Sequence, residues 1–270
     1  MNNSDAYTLS GSAAERYEHN MVPAIFEPFA DDLLELANLV QGEAVLDVAC
    51  GTGIVSRLAW PKVGSKGRVV GLDINPKMLD VARRSAPKKS AIEWTEGSAT
   101  AMPLPDHSFD VVLCQHGLQY FSDRLSALRE MHRVLGDRGR LLLNVWRPVK
   151  YNSGHAVFAD VLERRINDEA AATRRAPFKL SDRDELRALV SNAGFRDVAI
   201  NLTTRVTRFP SAEAMVRIMI AGTPLGTAMS EQDASVLQQV IDEVTAGLAE
   251  YNDDRGLAIP MQGWVVAARA

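Results

Sequence analysis

The run Val45-Leu46-Asp47-Val48-Ala49-Cys50-Gly51-Thr52-Gly53 constrains this chain more than any other stretch. Its apolar start reads as a buried strand, its glycines as a tight turn, and the residues from about Ile54 as a helix. Asp47 is an acid inside the strand, where burial is costly unless partners are present. Gly51 and Gly53 remove side chains that would hold a ligand away from the backbone. The following helix turns its free amides, and its positive dipole end, toward whatever sits above the turn. A turn of this kind suits a nucleotide-like ligand.

Twenty positions beyond Gly53, a second apolar run ends in Asp73 (Gly67-Arg68-Val69-Val70-Gly71-Leu72-Asp73-Ile74). An acid at the end of the second strand of a βαβ unit can accept hydrogen bonds from both hydroxyls of a ribose. Two ligands match a glycine turn with such an acid: a dinucleotide and S-adenosyl-L-methionine (SAM). The dinucleotide pattern wants Gly or Ala where this chain has Ser56. It also places a pyrophosphate near the turn, which Asp47 would repel. A ligand with an ammonium group and a sulfonium meets no such repulsion.

Residues 40 to 145 resemble the core of the class I SAM-dependent methyltransferases, in particular the small-molecule branch that includes the quinone-biosynthesis type. The resemblance is carried by the acid–glycine run 45–53, by Val70-Gly71-Leu72-Asp73-Ile74-Asn75-Pro76-Lys77-Met78-Leu79, by Ser108-Phe109-Asp110-Val111-Val112 and by Arg133-Val134-Leu135. Weaker echoes are Ser191-Asn192-Ala193-Gly194-Phe195 and the apolar run Gly263-Trp264-Val265-Val266-Ala267-Ala268. The resemblance implies an α/β fold with a doubly wound, seven-stranded, mostly parallel sheet whose last strand runs antiparallel. It also implies a helical N-terminal cover across the mouth of the site.

The chain of 270 residues reads as a single domain, 1–270, with a cover over 1–40 and a cofactor-binding core over 41–146. Residues 147–270 complete the sheet, with a helical, substrate-side insertion over 211–260 that matches no recognised segment. Strands are expected near 44–49, 68–73, 91–95, 109–114, 139–145, 197–203 and 262–269. Helices are expected near 53–60, 76–86, 122–135, 181–193, 211–221 and 230–250, with Asn75 and Pro76 opening the second of these. The N-terminal stretch from Ala13 to Val40 reads as one or two amphipathic helices broken by Pro23 and Pro28.

A net charge of −4 argues against nucleic acid as a partner. No apolar run is long enough for a bilayer, and no signal-peptide core stands near Met1. Cys50 and Cys114 read as buried reduced thiols. The expectation is a cytoplasmic protein with a small-molecule substrate, no nucleic-acid or membrane partner and no metal. The sequence carries no signal of oligomeric state.

The cofactor residues expected are Asp47, Ala49, Gly51, Thr52, Gly53, Asp73, Ile74, Met78, Ser98, Ala99 and Gln115. Asp47 either orders the turn or meets the cofactor ammonium; Asp73 either starts a helix or holds the ribose. By resemblance, Ile74 and Met78 flank the adenine. Many family members have Asp at the place of Ser98, which can bond the adenine edge without charge. Gln115 and His116 follow the fourth strand, which by resemblance is the floor of the site. His116 is the candidate catalytic base, with a cofactor or carbonyl contact as its other reading. Tyr17, His19, Gln119, Trp146, Arg147 and His155 are candidate pocket walls. Arg164, Arg165, Arg174, Arg175, Lys179 and Arg183 suit either an anionic substrate or a solvated helix face.

Methyl transfer from a sulfonium needs alignment and desolvation more than a base. The reading is therefore a SAM-dependent methyltransferase acting on O, N or activated C of a small organic molecule. The alternatives are a non-catalytic SAM-binding or partner domain, and an NAD-dependent oxidoreductase.

Overall fold

β1 (Ala44–Val48) is buried on both faces, as a central strand of a parallel sheet must be. β2 (Arg68–Asp73) and β4 (Phe109–Gln115) flank it in parallel, with Asp47 level with Gly71 on one side and Leu113 on the other. β3 (Glu93–Glu96) extends the sheet beyond β2, and β5 (Leu135–Trp146) extends it beyond β4. The far edge is a pair of long strands: β8 (Gly256–Arg269) runs antiparallel to β5, and β6 (Arg196–Phe209) antiparallel to β8. The order is β3-β2-β1-β4-β5-β8-β6. This is the doubly wound sheet expected, with one antiparallel strand among seven. A two-residue β7 (Asn252–Asp253) pairs with β8 and brings the described strands to eight. The structure, a computed structural model, describes residues 11–221, 225–230 and 232–270. Positions 1–10 of the expected cover, and 222–224 and 231 of the expected insertion, lie outside the described residues.

Strand order reverses between β1 and β4, so crossovers leave in opposite directions and a crevice opens above their C-terminal ends. The glycine turn after β1 and the Gln115–Gly117 turn after β4 both stand there. Alternate strand residues feed two cores. Val45, Val111 and Leu142 face α2 (Glu27–Ala37) and α3 (Ile54–Val63). Leu46, Val112 and Leu143 face α5 (Arg124–Val134) and α8 (Arg183–Asn192). Leu46 and Leu113 are fully buried, so cutting either to Ala costs about 2–5 kcal/mol.

Helix starts follow side-chain chemistry. Asn75 accepts from Lys77 N at 3.0 Å and Pro76 takes the first turn of α4 (Pro76–Ser85), as the sequence indicates. Asp182, next to Ser181, caps α8 by accepting from Asp184 N and Glu185 N. α5 hands over to β5 at Leu135, where the sequence pattern suggested one more helical residue.

Pro23 and Pro28 do not break the N-terminal helix. α1 (Gly11–Arg16) runs through a π-helical stretch, Tyr17–Phe26, into α2. Pro23 sits inside the wide turns, where Glu27 N bonds Val22 O five residues back, so the wider spacing absorbs the ring. Pro28 falls in the first turn of α2, where no amide is needed.

The cover is larger than the sequence indicates. α6 (Ser153–Arg165) and α7 (Asp168–Arg175), which the sequence pattern did not reveal, join α9 (Ala212–Ala221), α10 (Leu225–Ser230) and α11 (Ala234–Gly247). Together with the π-helical stretch they enclose a separate apolar cluster containing Phe29, Phe158 and Met215. Strands β6 and β8 run past the sheet to reach it, which is why they are longer than the expected 197–203 and 262–269. Cys50 and Cys114 are buried free thiols, as expected. No described helix is long and apolar enough to cross a membrane.

Candidate functional site

The two glycines of the turn do different things. Gly51 has φ +54, and a Cβ added there would meet nothing within 4 Å, because it faces open cavity. Gly53 has φ +86, opens α3 and lines no described cavity; an added Cβ would run into the Trp94 ring behind it, with Cζ3 at 2.8 Å. Gly53 is thus required by packing against Trp94. Ala49 also takes a left-handed conformation, φ +56, and lines the cavity. A non-glycine residue in that region stores strain of about 1–3 kcal/mol, as is common at ligand sites.

Asp47 is 1% exposed and points to the same face as α3. Its Oδ2 accepts from the amide of Ser56 at 3.0 Å and from the Ser56 hydroxyl at 2.6 Å. Its Oδ1 has no partner among the described residues, and neither does the buried Thr52 hydroxyl. Burial pushes the Asp47 pKa up to about 7, against the pull of the Ser56 bonds. Asp73 accepts from Gly51 N at 2.8 Å through Oδ2 and from Asn75 N at 2.9 Å through Oδ1. Both oxygens thus accept backbone amides, and the residue lines the cavity. Burial raises its pKa too, opposed by these amides.

A cavity of about 320 Å³ runs from this turn to the underside of the cover. At one end it is walled by Asp73, Ile74, Met78, Ser98 and Ala99. Ile74 is an apolar side chain left 62% exposed there. Ser98 is bonded to the Thr100 hydroxyl at 2.8 Å, so its oxygen is already engaged locally. A smaller cavity of about 30 Å³ adjoins it, lined by Asp47, Thr52 and Gln115 among others. Gln115 stands between the two and donates to Phe26 O at 2.7 Å, tying β4 to the cover.

The other end lies among rings. His116 is 3% exposed and stacks on Trp146, with centroids 3.6 Å apart. Its φ is +51, and neither ring nitrogen has a partner among the described residues. Burial pushes its pKa down to about 3, so the imidazole is neutral and a feeble base. Tyr17 stacks on Phe26 at 5.1 Å, and both line the cavity. His155 lies against Phe178 at 5.0 Å and also lines it.

The comparisons with known proteins agree with this geometry. A family model described as "Methyltransferase domain" matches residues 46–143. The demethylmenaquinone methyltransferase of Staphylococcus epidermidis is 31% identical over 183 residues, covering 64% of this chain and 76% of the relative. The ubiquinone/menaquinone biosynthesis C-methyltransferase UbiE of Escherichia coli is 34% identical over 187 residues, covering 64% and 74%. This chain belongs to the class I SAM-dependent methyltransferases of the quinone-biosynthesis type. A SAM-dependent methyltransferase structure from Aquifex aeolicus shares the fold, with TM-score 0.58, 17% identity and coverage of 97% of this chain and 100% of that one.

The methyltransferase fits its cofactor, S-adenosyl-L-methionine, by two independent features. The unpartnered, buried Oδ1 of Asp47 beside the small cavity calls for a cation. The bare Gly51 leaves room for close approach. Three expected pocket residues of the methyltransferase lie elsewhere. His19 is exposed on the outside of the helix and bonds Glu15 O at 2.8 Å. Gln119 turns inward to accept from Trp146 N at 3.3 Å. Arg147 stacks between Tyr151 and Trp264 and bonds Gln262. Tyr120, next to Gln119, lines the cavity instead. So does Arg174, which the sequence could not tell from the charged residues around it.

Proposed function

We propose that this methyltransferase methylates a ring carbon of a hydroxylated aromatic acceptor of the quinol kind. The observation that supports this best is the continuity of one cavity from the SAM crevice to a chamber walled by Tyr17, Phe26, Trp146 and Phe178. At about 320 Å³ the cavity falls within the size range of small-molecule sites. Aromatic walls favour a flat, apolar ring. The names of the relatives, quinone-pathway methyltransferases, point the same way. The concave, apolar chamber and the net charge of −4 favour a small molecule over nucleic acid. Unpaired buried cysteines suit a reducing, cytosolic setting.

In this reading Asp47 and Thr52 hold the amino-acid end of the cofactor, Asp73 the ribose, and Ile74 and Met78 the faces of the adenine, with Ser98 and Ala99 at its edge. The bound cofactor supplies a methyl group on a positively charged sulfur. The protein's part is to align the acceptor and exclude water, which the stacked His116–Trp146 floor and the helical cover do. His116 serves as a polar wall, since so depressed a base gains little from proton transfer.

Purified protein with methyl-labelled SAM and a reduced naphthoquinol tests the proposal. Label on a ring carbon supports it. Binding of S-adenosylhomocysteine without transfer to any hydroxylated ring, alongside turnover of an aliphatic amine, would sink it.

A further inference from the structure

The basic residues between positions 164 and 183 look alike in sequence, and the fold separates them. Arg164 and Arg165 pair with Glu243, Arg175 pairs with Asp160 and Glu163, and Arg183 donates to Ile200 O. Arg174 turns inward from α7, is 6% exposed and lines the far end of the acceptor chamber. No carboxylate pairs with it among the described residues. Its Nη2 donates to His155 Nε2 at 3.4 Å, its guanidinium lies 5.9 Å from the Phe158 ring centroid, and its Nε–H has no partner among the described residues. Since Nε2 of His155 accepts, the ring proton sits on Nδ1. That N–H is also buried and without a partner among the described residues. Two N–H donors, one on a cation, are thus buried beside the chamber with no acceptor among the described residues. Burial pushes the Arg174 pKa down to about 10, which leaves it charged at neutral pH. A buried cation without a counter-charge is a standing cost to the fold.

We propose that Arg174 and His155 form an anion subsite that receives an oxyanion carried on the ring of the acceptor, a phenolate or a carboxylate. The inference rests on the methyltransferase reading and narrows its substrate class. A negatively charged oxygen supplies the missing counter-charge and accepts charge-assisted bonds beside the Phe178 ring that lines the chamber. Tyr17, Tyr120 and His116 are the other titratable side chains lining the chamber, and Tyr120 is near enough to Arg174 to favour its charged form. Arginine suits the task because its planar fork matches a carboxylate and stays charged when buried.

The test is calorimetric titration of the whole protein, saturated with S-adenosylhomocysteine at neutral pH, with 2-naphthoate, 2-naphthol and the neutral 2-naphthamide. The expected result is 2-naphthoate or 2-naphthol binding about tenfold tighter than the amide, or more. The near-ultraviolet band of naphtholate on binding identifies a phenolate subsite, and preference for naphthoate alone identifies a carboxylate subsite. Arg174→Met removes the preference and Arg174→Lys keeps part of it, with S-adenosylhomocysteine affinity unchanged in both. Equal binding of amide and anions to the unaltered protein overturns the proposal, as does a preference that survives Arg174→Met. If Arg174→Met fails to fold, the unaltered protein and Arg174→Lys still decide it. Failure of the unaltered protein to bind S-adenosylhomocysteine instead removes the methyltransferase reading beneath it.

Discussion

Ser56 gives both its amide and its hydroxyl to one oxygen of Asp47, at 3.0 and 2.6 Å, and the other oxygen of that carboxylate has no partner among the described residues. The residue that departs from the dinucleotide pattern is therefore the one that aims the acid. The bond also runs from the first turn of α3 back to β1, so the helix and the acid are set by one contact.

Cofactor affinity should depend on the ionisation of Asp47. Its pKa of about 7 in the free protein lies above the usual value near 4 in an unfolded chain. The stabilisation this gives the free fold is fully present below about pH 4 and is lost as pH rises through about 7. Binding an ammonium requires the carboxylate, so affinity for S-adenosylhomocysteine runs the other way. It should climb with pH by about tenfold per unit below about pH 7 and level off above it. Calorimetric titration across that range reads this directly. Asp47→Asn should flatten the profile at low affinity. Ser56→Ala should move the inflection upward, because the hydroxyl bond lowers the Asp47 pKa. A level profile in the unaltered protein would refute the assignment.

Gly51→Ala and Gly53→Ala should separate binding from folding. The added methyl at Gly53 meets Trp94, at a left-handed φ, and should cost on the order of 2–4 kcal/mol of stability. At Gly51 it meets open space, so the cost is about 1 kcal/mol of backbone strain. That methyl stands where close approach to the cofactor is proposed, so affinity should fall by at least about tenfold, or 1.4 kcal/mol. Thermal melts with titration of each variant check the contrast, and equal melting losses would contradict it.

His116→Phe should retain turnover of a phenolic acceptor to within about tenfold, because the ring stack on Trp146 persists and no base is lost. The pH–rate profile of the unaltered enzyme should show no limb from His116 between pH 5 and 9, since a group with a pKa of about 3 stays neutral throughout. His116→Ala, by contrast, should destabilise by about 1–3 kcal/mol through the emptied stack. Loss of turnover in His116→Phe with S-adenosylhomocysteine binding intact would restore the base.

Much of the sheet was legible because β1, β2 and β4 are short apolar runs closed by turn residues, and because Asn75-Pro76 states a helix start in two letters. The acid–glycine frame was legible for the same reason: backbone conformation and charge leave local marks. The orientation of a side chain leaves none. Arg174 and Arg175 are neighbours of identical chemistry, and only the phase of α7 sends one inward and the other to Asp160 and Glu163. That helix was missed, since Asp168–Arg175 has alanines where an apolar stripe would show. Gln119 and Arg147 went astray likewise. Each satisfies a distant group, Trp146 N and Gln262, that only the folded chain brings near. Pro23 misled because a proline signals a break only for the α-helical repeat, and the wider π turn tolerates it.

Release of the cofactor should be governed by the N-terminal cover. Tyr17, Met21, Ile25 and Phe26 roof the large cavity. The roof is latched by Glu18, whose Oε1 takes Arg57 Nη2 at 2.6 Å with both side chains 13% exposed. Arg57 also donates Nη1 to Thr52 O at 2.5 Å, so the latch is joined to the glycine turn itself. Glu18→Gln keeps the shape and weakens a half-buried, charge-assisted bond by about 1–2 kcal/mol. That should speed S-adenosylhomocysteine dissociation by about five- to thirty-fold. Association should quicken as well, because the same latch closes the free protein and must open for the ligand to enter. Gln115→Leu, which cuts the second tie at Phe26 O, should act in the same direction. Stopped-flow displacement measures both rates, and a slowed association with unchanged dissociation would show that the helix guides capture and does not retain the ligand.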